Sequence, residues 1–238
     1  MQLPWITGPD SPFPPTHQAL TEPPELAGLL AAGGDLSPAR LATAYRRGIF
    51  PWFGPGQPVL WWTPEPRMVL RVADFKCHRS LRQAQAHFAT TPGARIVWDG
   101  DVRAVITACA QAPRGGQAGT WIGPDMIEAY VRWHAEGDDA WGRVHSVETW
   151  VGSDLMGGLY GVRIGQMFFG ESMFTRHTDA SKLALAALVQ GCRTAGMPLI
   201  DCQQQTAHLA SLGAAPVSRS AFEAELAHLT ALAPQPMI

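Results

Sequence analysis

Between His145 and Ser172 three strand-like runs follow one another closely, HSVETWV, LMGGLYGVR and QMFFGES. Gly152-Ser153-Asp154 separates the first two, and Ile164-Gly165 separates the second pair. Connections this short join antiparallel neighbours, because a parallel pair needs a crossover of a dozen or more residues. The expected centre of the fold is therefore an antiparallel meander. Gly157, Gly158 and Gly161 weaken its middle strand, so a bulge or a close backbone approach is expected there.

Helical signals surround this block. Ser37-Pro38 offers an N-cap and a first-turn proline, and Gly48 a stop after Arg46-Arg47. Helices are expected over 80–87 and 101–110. Another opens at Gly123-Pro124-Asp125, with Met126, Ile127, Tyr130, Val131 and His134 on one side. Thr178 or Asp179 should cap a helix that buries Ala180, Leu183, Ala184, Ala187 and Leu188, with Gly196 and Pro198 ending it. A short strand over 199–202 and a short helix over 206–212 follow, and Ser220-x-x-Glu223 reads as a capping box for the last helix. Prolines at 4, 9, 12, 14, 15, 23 and 24 suit an extended N-terminal segment. In IFPWFGPGQPVLWWTPEPR, three Trp among five Pro and two Gly forbid a long helix and predict a rigid loop or edge strand. A junction near residue 62 divides the chain into a small domain, 1–62, and a larger one, 63–238. The class expected is α/β of the α+β kind, with a mixed, largely antiparallel sheet.

Charge and cysteine usage remove several functions. The net charge of −2 gives no global attraction to nucleic acid or anionic membrane, so any such binding needs a local patch. Cys77, Cys109, Cys192 and Cys202 form no CxxC and read as reduced core residues. The N-terminus lacks a basic region followed by an apolar core, so no signal peptide is expected, and no apolar run is long enough to span a bilayer. The cytosol is the expected compartment. Walker, GxGxxG, HExxH and GxSxG patterns are missing, and the eight His have no ligand spacing, so no catalytic metal is predicted.

Four features carry possible chemistry. Asp201 and Gln203 fall on one face if the strand continues, with Cys202 pointing into the core. The carboxylate can then orient the amide so that its oxygen accepts from an incoming amine; a pair of surface polar groups at a loop is the other reading. Glu171 stands among Phe168, Phe169, Met173 and Phe174, where an unpaired charge is costly. It turns to solvent, pairs with Arg176, or holds a cation such as a peptide's N-terminal Arg or Lys. Trp52, Trp61, Trp62 and Trp121 line a pocket or a nucleobase platform, or else belong to the core. Arg67, Arg71, Lys76, Arg79 and Arg82, with His78 and only Asp74 against them, follow a phosphate backbone or form a solvated face.

Taken in order, GGDLSPARL, AYRRGIFPWF, LWWTPEPR, GTWI, HSVETW, GGLYGV, FFGESMFTR, ASKLAL and LIDCQ…HLASLGA resemble the leucyl/phenylalanyl-tRNA–protein transferase family, from about Gly33 to Gly213. The resemblance implies a small N-terminal domain and a C-terminal domain of the acyl-CoA N-acyltransferase type. It implies transfer of Leu or Phe, with Met a further donor, from aminoacyl-tRNA to the α-amine of proteins beginning with Arg or Lys, which marks them for degradation. No cofactor is implied, because the ester is already activated. Carried over by motif, Asp201 and Gln203 become the catalytic pair that positions and helps deprotonate the amine. Glu171 attracts the acceptor's cation, and Trp52 and Trp121 hold the terminal adenosine and the aminoacyl group. Leu159, Phe168, Met173 and Ile200 form the apolar pocket, and Arg67, Arg71, Lys76, Arg79 and Arg82 meet the acceptor-stem phosphates. A monomer is expected. The segment 137–143 is longer than the family's usual loop, and Gln204 and Gln205 receive no role. Two rivals stand beside this reading. An acyl-CoA N-acyltransferase would want a glycine-rich pyrophosphate turn leading into a helix, for which 163–166 is a poor candidate. A binding module without catalysis would give no reason to pair Asp201 with Gln203.

Overall fold

The computed structural model describes residues 3–113 and 120–237. Two sheets organise them. The smaller contains β1 (Trp5–Ile6), β2 (Leu29–Gly33), β3 (Phe50–Pro51) and β4 (Leu60–Trp62) in the order β1-β2-β4-β3. The Trp/Pro-rich stretch thus contributes two short paired strands, with β3 at the sheet edge. Helix α1 (Pro38–Tyr45) precedes them, and the Ser37 hydroxyl accepts from Arg40 N at 3.3 Å, as the Ser-Pro signal predicts.

The larger sheet has seven strands: β5 (Arg67–Arg71), β6 (Ala94–Trp98), β7 (Arg143–Val151), β8 (Asp154–Ile164), β9 (Met167–Thr175), β10 (Leu199–Gln203) and β11 (Ala215–Val217). Their order is β11-β5-β10-β9-β8-β7-β6. The expected meander is present as β7-β8-β9. Strands β9 and β10 pair in parallel, joined through α5 (Ala180–Thr194), and the other neighbouring pairs of this sheet are antiparallel. The β8–β9 register slips between Tyr160 and Gly161, where a Cβ on Gly161 would stand 2.3 Å from the Phe169 carbonyl oxygen. Glycine is therefore required by the approach of the neighbouring strand.

Each face of the large sheet builds its own core. Consecutive residues of β9 point to opposite sides: Phe168 joins Met68, Leu70, Leu159 and Ile200 under α5, whereas Phe169 joins Tyr45, Tyr130, Trp133 and Phe222 on the other side. That second core runs without a break into Leu30, Trp61 and Trp62 of the small sheet. The boundary near residue 62 therefore separates two sheets rather than two cores.

Helices α2 (Arg79–Thr90), α3 (Val102–Gln111), α4 (Pro124–Glu136), α6 (Ala207–Ser211) and α7 (Arg219–Ala231) complete the described chain. Two local expectations need correction. Ser218, not Ser220, caps α7, its hydroxyl accepting from Ala221 N at 3.2 Å. The buried face of α4 is Met126, Ala129, Tyr130 and Trp133, with Ile127, Val131 and His134 only partly covered. Trp133 offers the largest apolar area on that helix, and its burial sets the rotation. Strands β5, β6 and β11 were not expected from the pattern; β5 in particular hid within a run read for its charge.

Candidate active site

Inside the large sheet, β10 lies between β5 and β9, which places Asp201 in the interior. Arg67, facing it from β5, donates from Nε to Oδ1 at 2.8 Å and from Nη2 to Oδ2 at 2.6 Å. Its Nη1 donates to the Gly48 carbonyl at 2.9 Å. The rings of Phe50 and Phe222 lie 4.9 and 4.6 Å from the guanidinium carbon. Both charged groups are buried, Arg67 at 1% and Asp201 at 0% exposure, so the pair is a two-pronged ion pair without solvent screening. Arg67 is accordingly no phosphate ligand: its guanidinium is committed to the interior, and that expectation is corrected.

The same carboxylate shapes the next two residues. The β10–β5 register shifts between Asp201 and Gln203, and Gln203 adopts φ 59°. An L-residue there costs of order 1–3 kcal/mol, and Asp201 Oδ1 offsets part of this by accepting from Gln203 N at 2.9 Å. The expected strand alternation fails at this bulge. Cys202 and Gln203 both line the cavity, and Cys202 is not confined to the core. Asp201 grips the backbone of Gln203, and the carboxylate that orients its side chain is another one.

That carboxylate is Glu171 on β9. Gln203 Nε2 donates to Glu171 Oε1 at 2.8 Å, and because a carboxylate oxygen accepts, the amide oxygen of Gln203 is left for the cavity. Tyr45 Oη, at the end of α1, donates to the same Oε1 at 2.6 Å. Tyr130 Oη, from α4, lies 3.2 Å from Oε2 and 2.5 Å from Tyr45 Oη. Glu171 neither turns to solvent nor meets Arg176, whose Nη1 donates to the Leu155 carbonyl instead. Burial raises the Glu171 carboxyl to about 7, although the bonds from Tyr45 and Gln203 hold it down. Both phenols are pushed well above their ordinary range, first by burial and then by the negative charge of Glu171.

The cavity over this cluster has a volume of about 190 Å³; Phe50, Trp52, Trp121 and Leu209 wall it, and Glu171 and Gln203 sit at its polar end. Trp52 and Trp121 also wall an adjoining cavity of about 390 Å³ with Phe53, Leu60 and Trp62. Trp61 is a core residue, fully buried with Nε1 bonded to the Gly33 carbonyl at 2.8 Å. Leu159, Phe168 and Ile200 pack together with Met173 in the core under α5, the core against which the cavity-lining Cys202 and Leu209 also pack. Met173 opens onto a third cavity, shared with Lys182 and His208. Among the described residues no group of three His, Cys, Asp or Glu could hold a metal ion.

Known proteins match this chain closely. The family profile described as leucyl/phenylalanyl-tRNA protein transferase matches residues 69–227, and that for the N-terminal domain of the same transferase matches 34–65. A leucyl/phenylalanyl-tRNA–protein transferase of Methylibium petroleiphilum is 57% identical over 230 residues, 97% of this chain and 85% of the relative. The one from Paraburkholderia xenovorans is 54% identical over 236 residues, 99% and 93% of the two chains. The chain belongs to the leucyl/phenylalanyl-tRNA–protein transferase family. Membership makes it an aminoacyltransferase.

In this member of the transferase family the remaining basic residues sort by position. Arg71 is taken by Glu225, with Nη1 to Oε1 at 2.9 Å and Nη2 to Oε2 at 3.2 Å. Lys76, Arg79 and Arg82 are exposed at the start of α2. This stretch leans on α6, where Lys76 N donates to the Leu212 carbonyl and His78 Nε2 lies 2.7 Å from the Ser211 carbonyl oxygen. Since Leu209 of α6 lines the cavity, the basic face stands one short helix away from it. Tyr45 and Tyr130 are the site residues that sequence reading missed. Their signal was chemical, two phenols in otherwise apolar helix faces, but nothing in the spacing ties them to Glu171.

Proposed function

We propose that this protein transfers Leu or Phe from aminoacyl-tRNA to the α-amine of proteins whose first residue is Arg or Lys, which marks those proteins for degradation. The observation that supports it best is the polar end of the aromatic cavity. Gln203, held by Glu171 through Nε2 and by Asp201 through its backbone, presents its amide oxygen where an amine would dock. Asp201 and Gln203 act as a positioning pair. Fixing the amine against the ester is a large share of what such a reaction needs, since proximity and orientation can supply about 7–11 kcal/mol of the barrier.

Trp52 and Trp121, facing both aromatic cavities, hold the terminal adenosine and the aminoacyl group by stacking. The aminoacyl side chain lodges against Phe50 and Leu209 of the cavity; Leu159, Phe168, Met173 and Ile200, expected to form its pocket, do not line this cavity and lie instead in or against the core beneath it. An unbranched Met fits the same wall, and a polar side chain is rejected by its desolvation cost. Glu171 supplies the negative charge that favours a cationic first residue. Lys76, Arg79 and Arg82 meet the phosphates of the acceptor stem and give affinity that falls with salt, while Arg71 stays paired with Glu225 at their margin.

The test is transfer of labelled leucine from Leu-tRNA to a peptide beginning with Arg, against the same peptide with its amine acetylated. Transfer to the free amine alone is expected. Retained tRNA binding with no transfer would replace the enzyme by a binding module.

A further inference from the structure

Asp201 cannot take the amine's proton, because both its oxygens are filled by Arg67 and the Gln203 N–H and no part of it is exposed. Gln203 is an amide and a poor base. Among the described residues lining the cavity, the carboxylate is Glu171. Its surroundings have an unusual property that emerges from counting hydrogens. With Glu171 ionised, Oε1 accepts from Gln203 Nε2 and Tyr45, and Oε2 accepts from Tyr130. With a proton on Oε2 the same atoms form a closed ring: Oε2 donates to Tyr130, Tyr130 to Tyr45 across 2.5 Å, and Tyr45 back to Oε1. Neither state leaves a polar atom of the cluster unpaired, so moving the proton on or off Glu171 breaks no hydrogen bond without replacing it.

We propose that Glu171 is the proton acceptor of the transfer, taking a proton from the acceptor's α-ammonium, with Tyr45 and Tyr130 as positioning residues that let the cluster hold it. The inference rests on the transfer reaction proposed above. In the step, the ammonium loses one proton to Glu171, and the freed nitrogen lone pair forms the C–N bond to the ester carbonyl carbon. The resulting tetrahedral adduct expels the ribose 3′ oxygen with cleavage of its C–O bond. That oxygen takes the second nitrogen proton, leaving a neutral amide, and Glu171 returns its proton to solvent through the cavity.

Energetics agree with this geometry. An α-ammonium titrates at about 7.7–8.0, and the Glu171 carboxyl, raised by burial, lies at about 7. The transfer is nearly balanced, as a general base at neutral pH requires. The groups facing the cluster are Tyr45 from α1, Tyr130 from α4, Tyr160 from β8 beside Tyr130, Gln203 and Asp201 from β10, and Arg67 from β5. Asp201 pushes the Glu171 carboxyl upward, and Arg67 is spent on Asp201.

The experiment measures single-turnover transfer of labelled Phe from Phe-tRNA to an Arg-initiated peptide between pH 6 and 9. Glu171→Gln should lower the rate constant roughly 10²–10⁴-fold and replace the limb near pH 7 by one at the amine's own titration, about 7.7–8.0. With a peptide whose α-amine is replaced by a hydrazine, a nucleophile already neutral at pH 7, the deficit should shrink to within about tenfold, since no proton need be removed. Tyr45→Phe should move the limb upward with peptide saturation unchanged; a merely structural role would lower the rate without moving it. An unchanged rate constant in Glu171→Gln with weaker peptide saturation would overturn the proposal, as would an equal deficit with the hydrazine. A carboxyl NMR titration of ¹³C-glutamate protein supplies a reading independent of transfer. Glu171 titrating outside pH 6–8 overturns the proton assignment alone, whereas no transfer by the wild type overturns the reaction and this inference together.

Discussion

Replacing Glu171 by Gln should stabilise the protein, and by an amount that grows with pH. The carboxyl has an ordinary value of 4.5 and is raised to about 7 by burial. Between those two values the native state binds more protons than the unfolded chain, so its stability falls as pH rises through that window. Below the window both states are protonated and the group contributes nothing; above it the native state carries the full burden of a buried charge. A shift of about 2.5 units at 1.36 kcal/mol each is roughly 3 kcal/mol, of which about 2–3 kcal/mol develops between pH 5 and pH 8. The introduced amide would reproduce the neutral carboxyl, with its oxygen accepting from Tyr45 and Gln203 and its NH₂ donating to Tyr130. Urea unfolding of wild type and Glu171→Gln at pH 5 and pH 8 measures the difference. The variant should gain on the wild type by about 2–3 kcal/mol from the first pH to the second, a midpoint shift on the order of 1 M for a slope near 2–3 kcal/mol/M. A gap independent of pH would mean that the surroundings do not raise the Glu171 carboxyl, and the proton-holding cluster would be refuted with it.

Other substitutions probe the rest of the site. Arg67→Met should cost about 3–5 kcal/mol in urea unfolding by stranding Asp201, and Asp201→Leu in the same chain should return part of it; additive losses would show that the two groups are not coupled. Gln203→Gly should be more stable than Gln203→Ala by about 1 kcal/mol, because only glycine accepts the left-handed backbone freely, and both should lose turnover more than aminoacyl-tRNA binding. Removing the basic pair by Arg79→Ala and Arg82→Ala should weaken tRNA binding and flatten its dependence on salt, whereas an unchanged salt slope would place the tRNA elsewhere. Burial works against a charge on His145, yet its bonds to Asp139 and Asp99, each at 2.8 Å, outweigh it and raise its titration. The stability from that charge is complete below the ordinary value and is lost as pH rises through the raised one, so the penalty of His145→Gln should shrink from pH 5.5 to pH 9 in urea unfolding.

What could be read in the sequence was what local physics decides. The meander was legible because short turn signals divided runs of strand-forming residues, and α1 because a Ser-Pro pair both caps and pre-sets a first turn. Asp201, Gln203 and Glu171 could be singled out because polar groups at the end of apolar runs are costly without partners. Their partners were not legible. Tyr45 lies 126 residues from Glu171 and Tyr130 lies 41 away, and no periodicity links them. Arg67 was misread because charge was counted along the chain, while burial depends on which strand the residue enters. As the first residue of a strand whose next three side chains are all buried, it faces the interior with them.

Strand alternation breaks at the residue that matters most. A strict period of two would set Asp201 and Gln203 side by side on one face, and that arrangement would let a single carboxylate orient the amide directly. The bulge divides the labour instead. Asp201, anchored by Arg67, fixes the backbone, and the left-handed turn carries Gln203 over to Glu171 on the neighbouring strand. One carboxylate is thereby committed to a buried guanidinium, while the other, bonded to phenols and an amide, stays free to exchange a proton near neutrality. A regular strand would have merged these two tasks in one group. An aspartate two residues before an amide can bond its N–H and so initiate such a turn, and that short-range signal was present in Asp-Cys-Gln all along.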